Sequence, residues 1–159
     1  MNGSGGARRV ALGSDARTGA ELEVLARWLE NLGYVVTRTG SAGKASDAPD
    51  WVEATLAVCS KVARGDCERG IVLDSTGIGP CMAANKINGI RAAVCRDART
   101  ALDARERHNA NVLALGSAAH GVDELCLIAR TWLEARFDAP RHAARVNGIT
   151  AIERGGFNN

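Results

Sequence analysis

Short apolar runs typical of β-strands alternate along this chain with longer segments whose apolar residues recur at helical spacing. The strand-like runs are Arg9–Asp15, Tyr34–Val36, Gly70–Leu73, Ile90–Cys95 and Val112–Gly116. The helix-like segments are Glu21–Leu32, Trp51–Arg64, Pro80–Lys86, Ala98–Arg107 and Val122–Phe137. Alternation of this kind requires right-handed crossovers, which produce a parallel sheet. We therefore predict an α/β fold, a single Rossmann-like three-layer sandwich with a parallel sheet of about five strands.

The chain has the size and composition of one domain. Of its 159 residues, 46% are hydrophobic, which is enough to bury a core. We assign residues 1–8 to a flexible N-terminal tail rich in Gly and Ser, and residues 9–139 to the Rossmann-like domain. Residues 140–159 form a basic C-terminal segment that is too short for a core of its own. We expect this segment to dock on a partner subunit.

Composition argues against several classes of protein. No apolar run approaches the roughly 18 residues of a membrane span, and the N-terminus lacks the apolar stretch of a signal peptide. We expect a soluble, cytoplasmic protein. Because 20 basic and 18 acidic residues leave a net charge of +2, nothing suggests a nucleic-acid partner. No two of the five cysteines are spaced as Cys-x-x-Cys, so we predict reduced thiols. We expect the protein to use neither a metal nor a cofactor.

The third strand-like run leads into Asp74-Ser75-Thr76-Gly77-Ile78-Gly79, which combines two glycines with two hydroxyl side chains. In an open parallel sheet, ligands bind beyond the carboxyl ends of the strands where the winding reverses. A flavodoxin-like order makes this run a neighbour of the first one, which ends in Gly13-Ser14-Asp15. The backbone N–H groups of residues 75–79 then suit an oxyanion or a phosphate group. The alternative is a tight turn in which Asp74 or Ser75 caps the helix.

Blocks from about Val10 to Val146 carry a resemblance to a known enzyme family, with nearly unchanged gaps between them. They are Gly13–Asp15, Ser46–Asp50, Gly70–Leu73, Thr76–Gly79, Ala83–Lys86, Gly89–Ala93, Ala110–Gly116, Thr131–Leu133, and Arg141-His142 with Arg145. Together they resemble the type B ribose-5-phosphate isomerase and galactose-6-phosphate isomerase family. The resemblance implies a Rossmann-type sandwich, a metal-free aldose–ketose isomerisation through an enediolate, and an active site shared between two subunits of a dimer.

The resemblance is incomplete at the catalytic positions. The proton-shuttling cysteine of the family aligns with Asp74, and the glycine after it aligns with Ser75. A carboxylate can also move a proton between adjacent sugar carbons, and we expect partial burial to raise its pKa towards a useful value. Asp74 is therefore the candidate base, with helix capping as the alternative. The resemblance places Thr76 beside it as a catalytic residue and assigns substrate binding to Asp15, Ser75, Gly77 and Gly79.

Other substitutions alter the size and charge of the implied pocket. Ala16 stands where the family has a histidine, and Arg17 follows it. Ala48 replaces a tyrosine, and Ala118 replaces an arginine of the phosphate pocket. The implied pocket has lost an imidazole and side-chain bulk, which favours a larger, more acidic or open-chain ligand.

The ring-opening histidine of the family begins a His-Asn-Asp-Ala-Asn run, whereas this chain has Arg107-His108-Asn109-Ala110-Asn111. Without a gap, Arg107 replaces that histidine. If the loop shifts by one residue, His108 and Asn109 recover the pair. We take His108 as a candidate catalytic residue, and Arg107 and Asn109 as candidate substrate-binding residues. The alternative for His108 is a solvated histidine at a helix end.

Arg141 and Arg145 match the phosphate-binding arginines of the family in type and spacing. Four residues apart in a helical segment, they share one face, where two guanidinium groups hold a phosphate through charge-assisted hydrogen bonds. The alternative is a solvated basic tail.

We predict a metal-free aldose–ketose isomerase of a phosphorylated sugar other than ribose 5-phosphate, which acts as a homodimer or homotetramer. We expect neither a nucleic acid nor a membrane among its partners. The competing hypothesis is a phosphosugar-binding partner subunit, or a catalytically impaired paralogue, of a heteromeric isomerase. Activity of the purified chain alone distinguishes the two.

Overall fold

The backbone forms one parallel sheet of five strands in the order β2-β1-β3-β5-β4. The computed structural model describes residues 8–39 and 50–155. The strands are β1 (Arg9–Ser14), β2 (Val35–Thr39), β3 (Arg69–Asp74), β4 (Ala92–Val94) and β5 (Val112–Gly116). All four strand pairings are parallel, as expected for strands joined by helical crossovers. The predicted α/β sandwich with about five parallel strands is confirmed.

Helices cover both faces of this sheet. They are α1 (Gly19–Asn31), α2 (Trp51–Ala63), α3 (Ile78–Ala84), α4 (Ala98–Glu106), α5 (Val122–Glu134) and α6 (Ala139–Glu153), with a short 3₁₀ turn at Ser117–Ala119. On one face, apolar residues of α1, α4 and α5 pack on β1, β3 and β5, with Trp132 fully buried. On the other face, α2 packs on β1 and β3 through Val58 and Cys59. Burial of both faces explains why the central strands are almost wholly apolar.

Two details of the predicted fold were wrong. The helix predicted over Val122–Phe137 ends at Glu134, because Ala135 adopts an extended backbone (φ −67°, ψ 147°). The chain then turns back towards the end of α4, where the N–H of Asp138 donates to the carbonyl of Glu106 at 2.9 Å. The strand order also departs from the flavodoxin type, since β5 lies between β3 and β4. The neighbouring positions of β1 and β3, on which the predicted site depends, are confirmed.

The basic C-terminal segment is helical, and it contacts its own chain. Val146 is buried, and both carboxylate oxygens of Glu153 accept the N–H of Gly89 at 3.1 Å. Most other residues of α6 are exposed or half-buried, including Ile149 and Ile152. Docking of this segment on a partner subunit stays a prediction.

All five cysteines are free thiols. Burial raises the pKa of Cys59 and of Cys95 to about 12, so both stay protonated at neutral pH. Within residues 8–39 and 50–155, no three His, Cys, Asp or Glu side chains are grouped as a metal site. None of the described helices is long and apolar enough to cross a membrane.

Candidate active site

Two buried carboxylates lie where the sheet reverses its winding. The chain passes from β1 to β2, which pairs with one edge of β1, and later to β3, which pairs with the other edge of β1. Asp15 directly follows β1, and Asp74 is the last residue of β3. Asp15 is 6% exposed and Asp74 is 8% exposed. The fold therefore places both at the carboxyl edge of the sheet, the usual ligand site of such folds.

Asp74 is held by the loop that follows it. Its Oδ1 accepts the N–H of Thr76 at 2.8 Å and also that of Gly77. Gly77 has a φ of +75°, a conformation that favours glycine, and begins α3 without a side-chain cap. Asp74 thus caps the turn rather than the helix. Its other oxygen, Oδ2, makes no hydrogen bond with any described residue.

The same contacts reduce the number of free N–H donors in the anion-binding loop expected over residues 75–79. The N–H groups of Thr76 and Gly77 are engaged by Asp74, and the N–H of Ile78 donates to Thr76 Oγ1 at 3.2 Å. Within the described chain, the N–H groups of Ser75 and Gly79 have no partner. The hydroxyl proton of Thr76, an exposed residue, is also uncommitted. The Ser75 hydroxyl makes no hydrogen bond with a described residue either, so four donors remain for a ligand.

The end of β5 presses directly against this loop. A Cβ at Gly116 would lie 2.7 Å from the backbone C and O of Thr76, so only glycine fits there without displacement. Just beyond, the N–H of Ala118 donates to the carbonyl of Ser75 at 2.9 Å. Ala118 therefore lies beside the loop, at the position where the resemblance implied an arginine.

Asp15 is fixed by residues at the start of α1. Its Oδ1 accepts the N–H groups of Arg17 and Thr18 at 3.2 and 3.1 Å. The Thr18 hydroxyl lies 2.8 Å from the same oxygen and 3.0 Å from the carbonyl oxygen of Leu73. Thr18 thereby ties the end of β1 to the end of β3. The Arg17 side chain is 82% exposed, with its Nε 3.4 Å from Asp15 Oδ2.

Sequence reasoning missed two residues that shape this edge. Thr18 is one of them, and its only signal is the Asp-x-x-Thr spacing typical of a turn before a helix. Trp51, at the start of α2, is the other, since its indole ring lies 3.1 Å from where a Cβ at Gly79 would stand. The segment with Asp47, Ala48 and Pro49 lies outside the described residues.

The loop with Arg107, His108 and Asn109 lies at the opposite edge of the sheet. It follows α4 and precedes β5, so it belongs to the amino edge, about 16 Å from the carboxyl edge along a five-residue strand. Arg107 and His108 are exposed. Asn109 has a φ of +51°, and its side-chain oxygen accepts a hydrogen bond from Arg105. Within one chain, His108 and Asp74 cannot act on the same sugar.

The two arginines of α6 share an exposed face. Arg141 Nε lies 4.0 Å from Asp138 Oδ2, while Arg145 makes no ion pair with a described residue. Because α6 begins beside the end of α4, this face is on the side of the Arg107–Asn109 loop. The predicted site residues thus fall into two groups, one at each edge.

Histidines are unevenly placed between these edges. His108 is at the amino edge and His142 is on α6, whereas His120 follows β5 at the carboxyl edge. His120 Nδ1 lies 2.8 Å from Glu124 Oε2, one helical turn further along the chain. In the sequence, nothing distinguishes His120 as a functional residue.

Comparisons with known proteins agree with this geometry. Residues 10–149 match the protein family described as Ribose/Galactose Isomerase. Ribose-5-phosphate isomerase B of Escherichia coli is 35% identical over 149 residues, which covers 92% of this chain and 97% of the relative. D-erythrulose-4-phosphate isomerase of Pectobacterium atrosepticum is 34% identical over 144 residues, covering 91% and 94%.

A solved structure gives the same result in three dimensions. The chain is similar to ribose-5-phosphate isomerase B of Clostridium thermocellum, with a TM-score of 0.87 and 40% identity. The superposition covers 94% of this chain and 99% of that one. The resemblance inferred from sequence blocks is confirmed, and so is the prediction of an isomerase that acts on sugar phosphates.

Proposed function

Since the chain belongs to the Ribose/Galactose Isomerase family, we propose that it interconverts the aldose and ketose forms of a phosphosugar other than ribose 5-phosphate. The observation that carries this proposal is the state of Asp74. One of its oxygens is anchored by the loop after β3, and the other is left without a partner among the described residues. A carboxylate held in this way is a positioned general base.

Asp74 supplies the proton transfer in this proposal. Its Oδ2 removes the proton from C2 of the aldose, which leaves an enediolate, and the resulting carboxylic acid returns the proton to C1. The oxygen-bound proton passes from O2 to O1, so the ketose has the same atoms as the aldose. Anchoring of Oδ1 limits rotation of the carboxylate while Oδ2 faces two adjacent carbons.

The remaining donors of the loop stabilise the enediolate. The N–H groups of Ser75 and Gly79 and the hydroxyl of Thr76 are free to point towards developing negative charge on the sugar oxygens. Asp15, fixed by Thr18, accepts hydrogen bonds from sugar hydroxyls at the same edge. These roles need neither a metal nor a cofactor.

A second copy of the chain completes the site. Four candidate residues lie on the side of the molecule away from Asp74, namely Arg107, His108, Arg141 and Arg145. They therefore cannot reach a substrate that is bound at Asp74 of the same chain. In a homodimer or homotetramer, they meet the carboxyl edge of a neighbouring copy, where the two α6 arginines bind phosphate. The exposed Ile78 and Met82 of α3 support such an interface.

The proposed substrate is an open-chain phosphosugar. Near neutral pH, imidazole is the side chain best suited to catalyse ring opening, because it can both donate and accept a proton. Arg107 is permanently protonated and cannot take this role. A tetrose phosphate forms no stable ring with its phosphorylated end, and so it avoids this step. That a relative is named D-erythrulose-4-phosphate isomerase favours the same substrate class. A longer, more acidic sugar that contacts Arg17 is the second candidate, because this side chain is 82% exposed beside Asp15.

The test compares kcat/KM for ribose 5-phosphate and for erythrulose 4-phosphate under identical conditions. We expect the four-carbon sugar to be the better substrate by at least about tenfold. Efficient turnover of ribose 5-phosphate that disappears in His108→Ala would reject the proposal and assign ring opening to His108. If only His120→Ala abolishes it, ring opening belongs to the carboxyl edge of the same chain.

The phosphate assignment is tested separately on α6. Arg141→Ala and Arg145→Ala should each weaken binding of a phosphosugar by roughly 1.5–3 kcal/mol, as for other charge-assisted hydrogen bonds. Arg27→Ala is the matched control, an exposed helical arginine paired only with Glu23. Equal affinities for the phosphorylated and the neutral sugar would contradict the assignment. A folded chain that binds phosphosugar yet lacks activity until a second, different subunit is added would favour the heteromeric alternative.

A further inference from the structure

A basic cavity lies at the amino edge of the sheet, and none of the residues assigned to catalysis above lines it. It has a volume of about 190 Å³ and opens between the starts of β1 and β3 and the end of α5. We call it the arginine cavity, because Arg8, Arg9, Arg69 and Arg136 all line it. Its other polar side chains are those of Tyr34, Glu68 and Glu134.

Positive charge in the arginine cavity exceeds negative charge. Arg8, Arg69 and Arg136 supply three guanidinium groups, whereas Arg9 donates from Nη2 to the carbonyl of Gly65 at 3.4 Å. Two carboxylates line the cavity, and one of these is already engaged, since Glu134 Oε1 accepts a hydrogen bond from Arg130 at 2.9 Å. Glu68 forms no ion pair within the described part of the chain. Residues 1–7, which precede Arg8, include no Asp or Glu. The local sequence therefore offers no carboxylate that would balance the excess.

Arg69 has unused hydrogen-bond donors. Its Nη1 donates to the carbonyl of Glu68 at 2.8 Å, but its buried Nε has no partner and Nη2 makes no hydrogen bond with a described residue. Leaving a buried charged donor unpaired is costly, so such groups are normally satisfied by a ligand or by water.

Neighbouring arginines make this cost larger. Burial lowers the pKa of Arg69 and Arg91 lowers it further, while the carboxylate of Glu68 acts in the opposite direction. Arg105 is 7% exposed, its Nε also lacks a partner, and burial together with Arg69 and Arg91 lowers its pKa to about 10. An anion bound beside Arg69 would offset these repulsions.

Arg8 and Tyr34 form a prepared wall of the arginine cavity. Arg8 Nη1 donates to the Tyr34 hydroxyl at 2.9 Å, and the guanidinium carbon lies 5.5 Å from the ring centre. The stacked arginine loses little freedom when it binds a ligand. The Tyr34 hydroxyl keeps its own proton to donate.

We propose that the arginine cavity binds a tetrahedral oxyanion of the phosphate type, either free or as the phosphate group of a small metabolite. Guanidinium groups recognise phosphate through paired N–H donors, and Arg8, Arg69 and Arg136 bring such groups to this cavity from three separate segments. The volume suits one such group with a few waters and is below the roughly 300–1,000 Å³ of pockets for drug-sized ligands. This site is distinct from the α6 arginines that we assign to the substrate.

The experiment measures phosphate binding by calorimetry in a chain that carries Arg141→Ala and Arg145→Ala, so that the proposed substrate subsite is removed. Inorganic phosphate and glycerol 2-phosphate are titrated separately at constant ionic strength set with sodium chloride. We expect saturable binding of at least one, and the comparison shows whether the site takes a free anion or a phosphate ester. Arg69→Gln should raise Kd by at least about tenfold.

Two further variants keep the test decisive. Arg136→Gln changes an exposed side chain after α5, so folding is preserved, and it should raise Kd several-fold. Arg27→Gln, remote from the arginine cavity, should leave Kd unchanged. Absence of saturable binding by both anions overturns the proposal. So does a Kd that is the same in the Arg69, Arg136 and Arg27 variants.

Discussion

At the scale of single residues, the proposed chemistry depends on the different surroundings of the two Asp74 carboxylate oxygens. Oδ1 accepts two backbone N–H groups of its own loop, as a capping residue does, while Oδ2 is left for a substrate. Anchoring of the turn by Oδ1 is therefore compatible with the proposed catalytic role of Oδ2. A capped carboxylate is also a more rigid base, which matters because proton transfer is sensitive to geometry.

Two substitutions separate these roles. Asp74→Asn retains an Oδ1 acceptor, so the free energy of unfolding should stay within about 1 kcal/mol while kcat falls by about 10²–10⁴-fold. Asp74→Ala removes the acceptor too and should also destabilise the fold by about 1–2 kcal/mol. Urea unfolding and steady-state kinetics of both variants provide the measurements. Wild-type kcat in Asp74→Asn would transfer the base to another residue.

At the scale of secondary structure elements, the catalytic loop is shaped by a contact between β5 and the turn after β3. A side chain at Gly116 would collide with the backbone of Thr76. Gly116→Ala should therefore destabilise the protein by about 1–3 kcal/mol and displace the loop that holds Asp74. Gly148→Ala is the matched control, because its added Cβ meets nothing within 4 Å on α6.

These glycine variants are expected to shift stability in opposite directions. Alanine at position 148 should raise the free energy of unfolding by roughly 0.5–1 kcal/mol, since glycine is a poor helix former. Chemical denaturation of the two variants and of the wild type checks both signs. A Gly116→Ala protein with unchanged stability and kcat would show that the loop adapts to β5.

The edge strand β2 is tied to α1 by charge. Arg38 donates to Glu23 at 2.9 Å and to Glu30 at 2.7 Å. The hydrogen bond from Arg38 is the main reason why the pKa of Glu23 is lowered from 4.5 to about 2. A lowered pKa means that this stabilisation is present above pH 4.5 and is lost as the pH falls through about 2.

Removal of Arg38 should therefore have a pH-dependent effect. Arg38→Gln should lower the free energy of unfolding at pH 7 by about 0.2–1 kcal/mol, a small value because the groups are partly exposed. The difference from wild type should shrink as the pH approaches 2 and as salt is added. Arg130→Gln, within α5 alone, is the control. If the free energies of unfolding of Arg38→Gln and wild type differ by the same amount at pH 7 and near pH 2, the ion pairs are not the cause of the difference.

At the scale of the whole molecule, our proposal brings the two groups of site residues together in a second copy of the chain. A mixing experiment tests this directly. Asp74→Asn and Arg145→Ala chains are each expected to be nearly inactive. After unfolding and refolding as an equimolar mixture, they should recover about a quarter of wild-type activity, because half of the dimers are mixed and each has one intact site.

Recovery of activity depends only on sharing between copies. If all site residues came from one chain, the mixture would remain as inactive as its components. Sedimentation of the wild type at micromolar concentration should show a dimer or a tetramer. A monomer with full activity would contradict both the assembly and the shared site.

The sequence alone was sufficient for the order of strands and helices and for the family. Apolar runs such as Gly70–Leu73 and the helical spacing in Val122–Glu134 are local signals, set by which faces are buried. The family resemblance rested on blocks of residues whose spacing is fixed by the same local geometry. It also identified Asp74 and the α6 arginines as the residues to examine.

Only the tertiary structure decided which side chains meet at each edge, because this depends on which strands are neighbours. That His108 and Asp74 lie at opposite edges follows already from the predicted alternation, since one comes after a helix, the other after a strand, and a parallel sheet sends these two kinds of loop to opposite edges. The exchange of β4 and β5 is likewise set by packing between distant segments. For the same reason, the arginine cavity, assembled from Arg8, Arg69 and Arg136, could not be recognised from a net charge of +2.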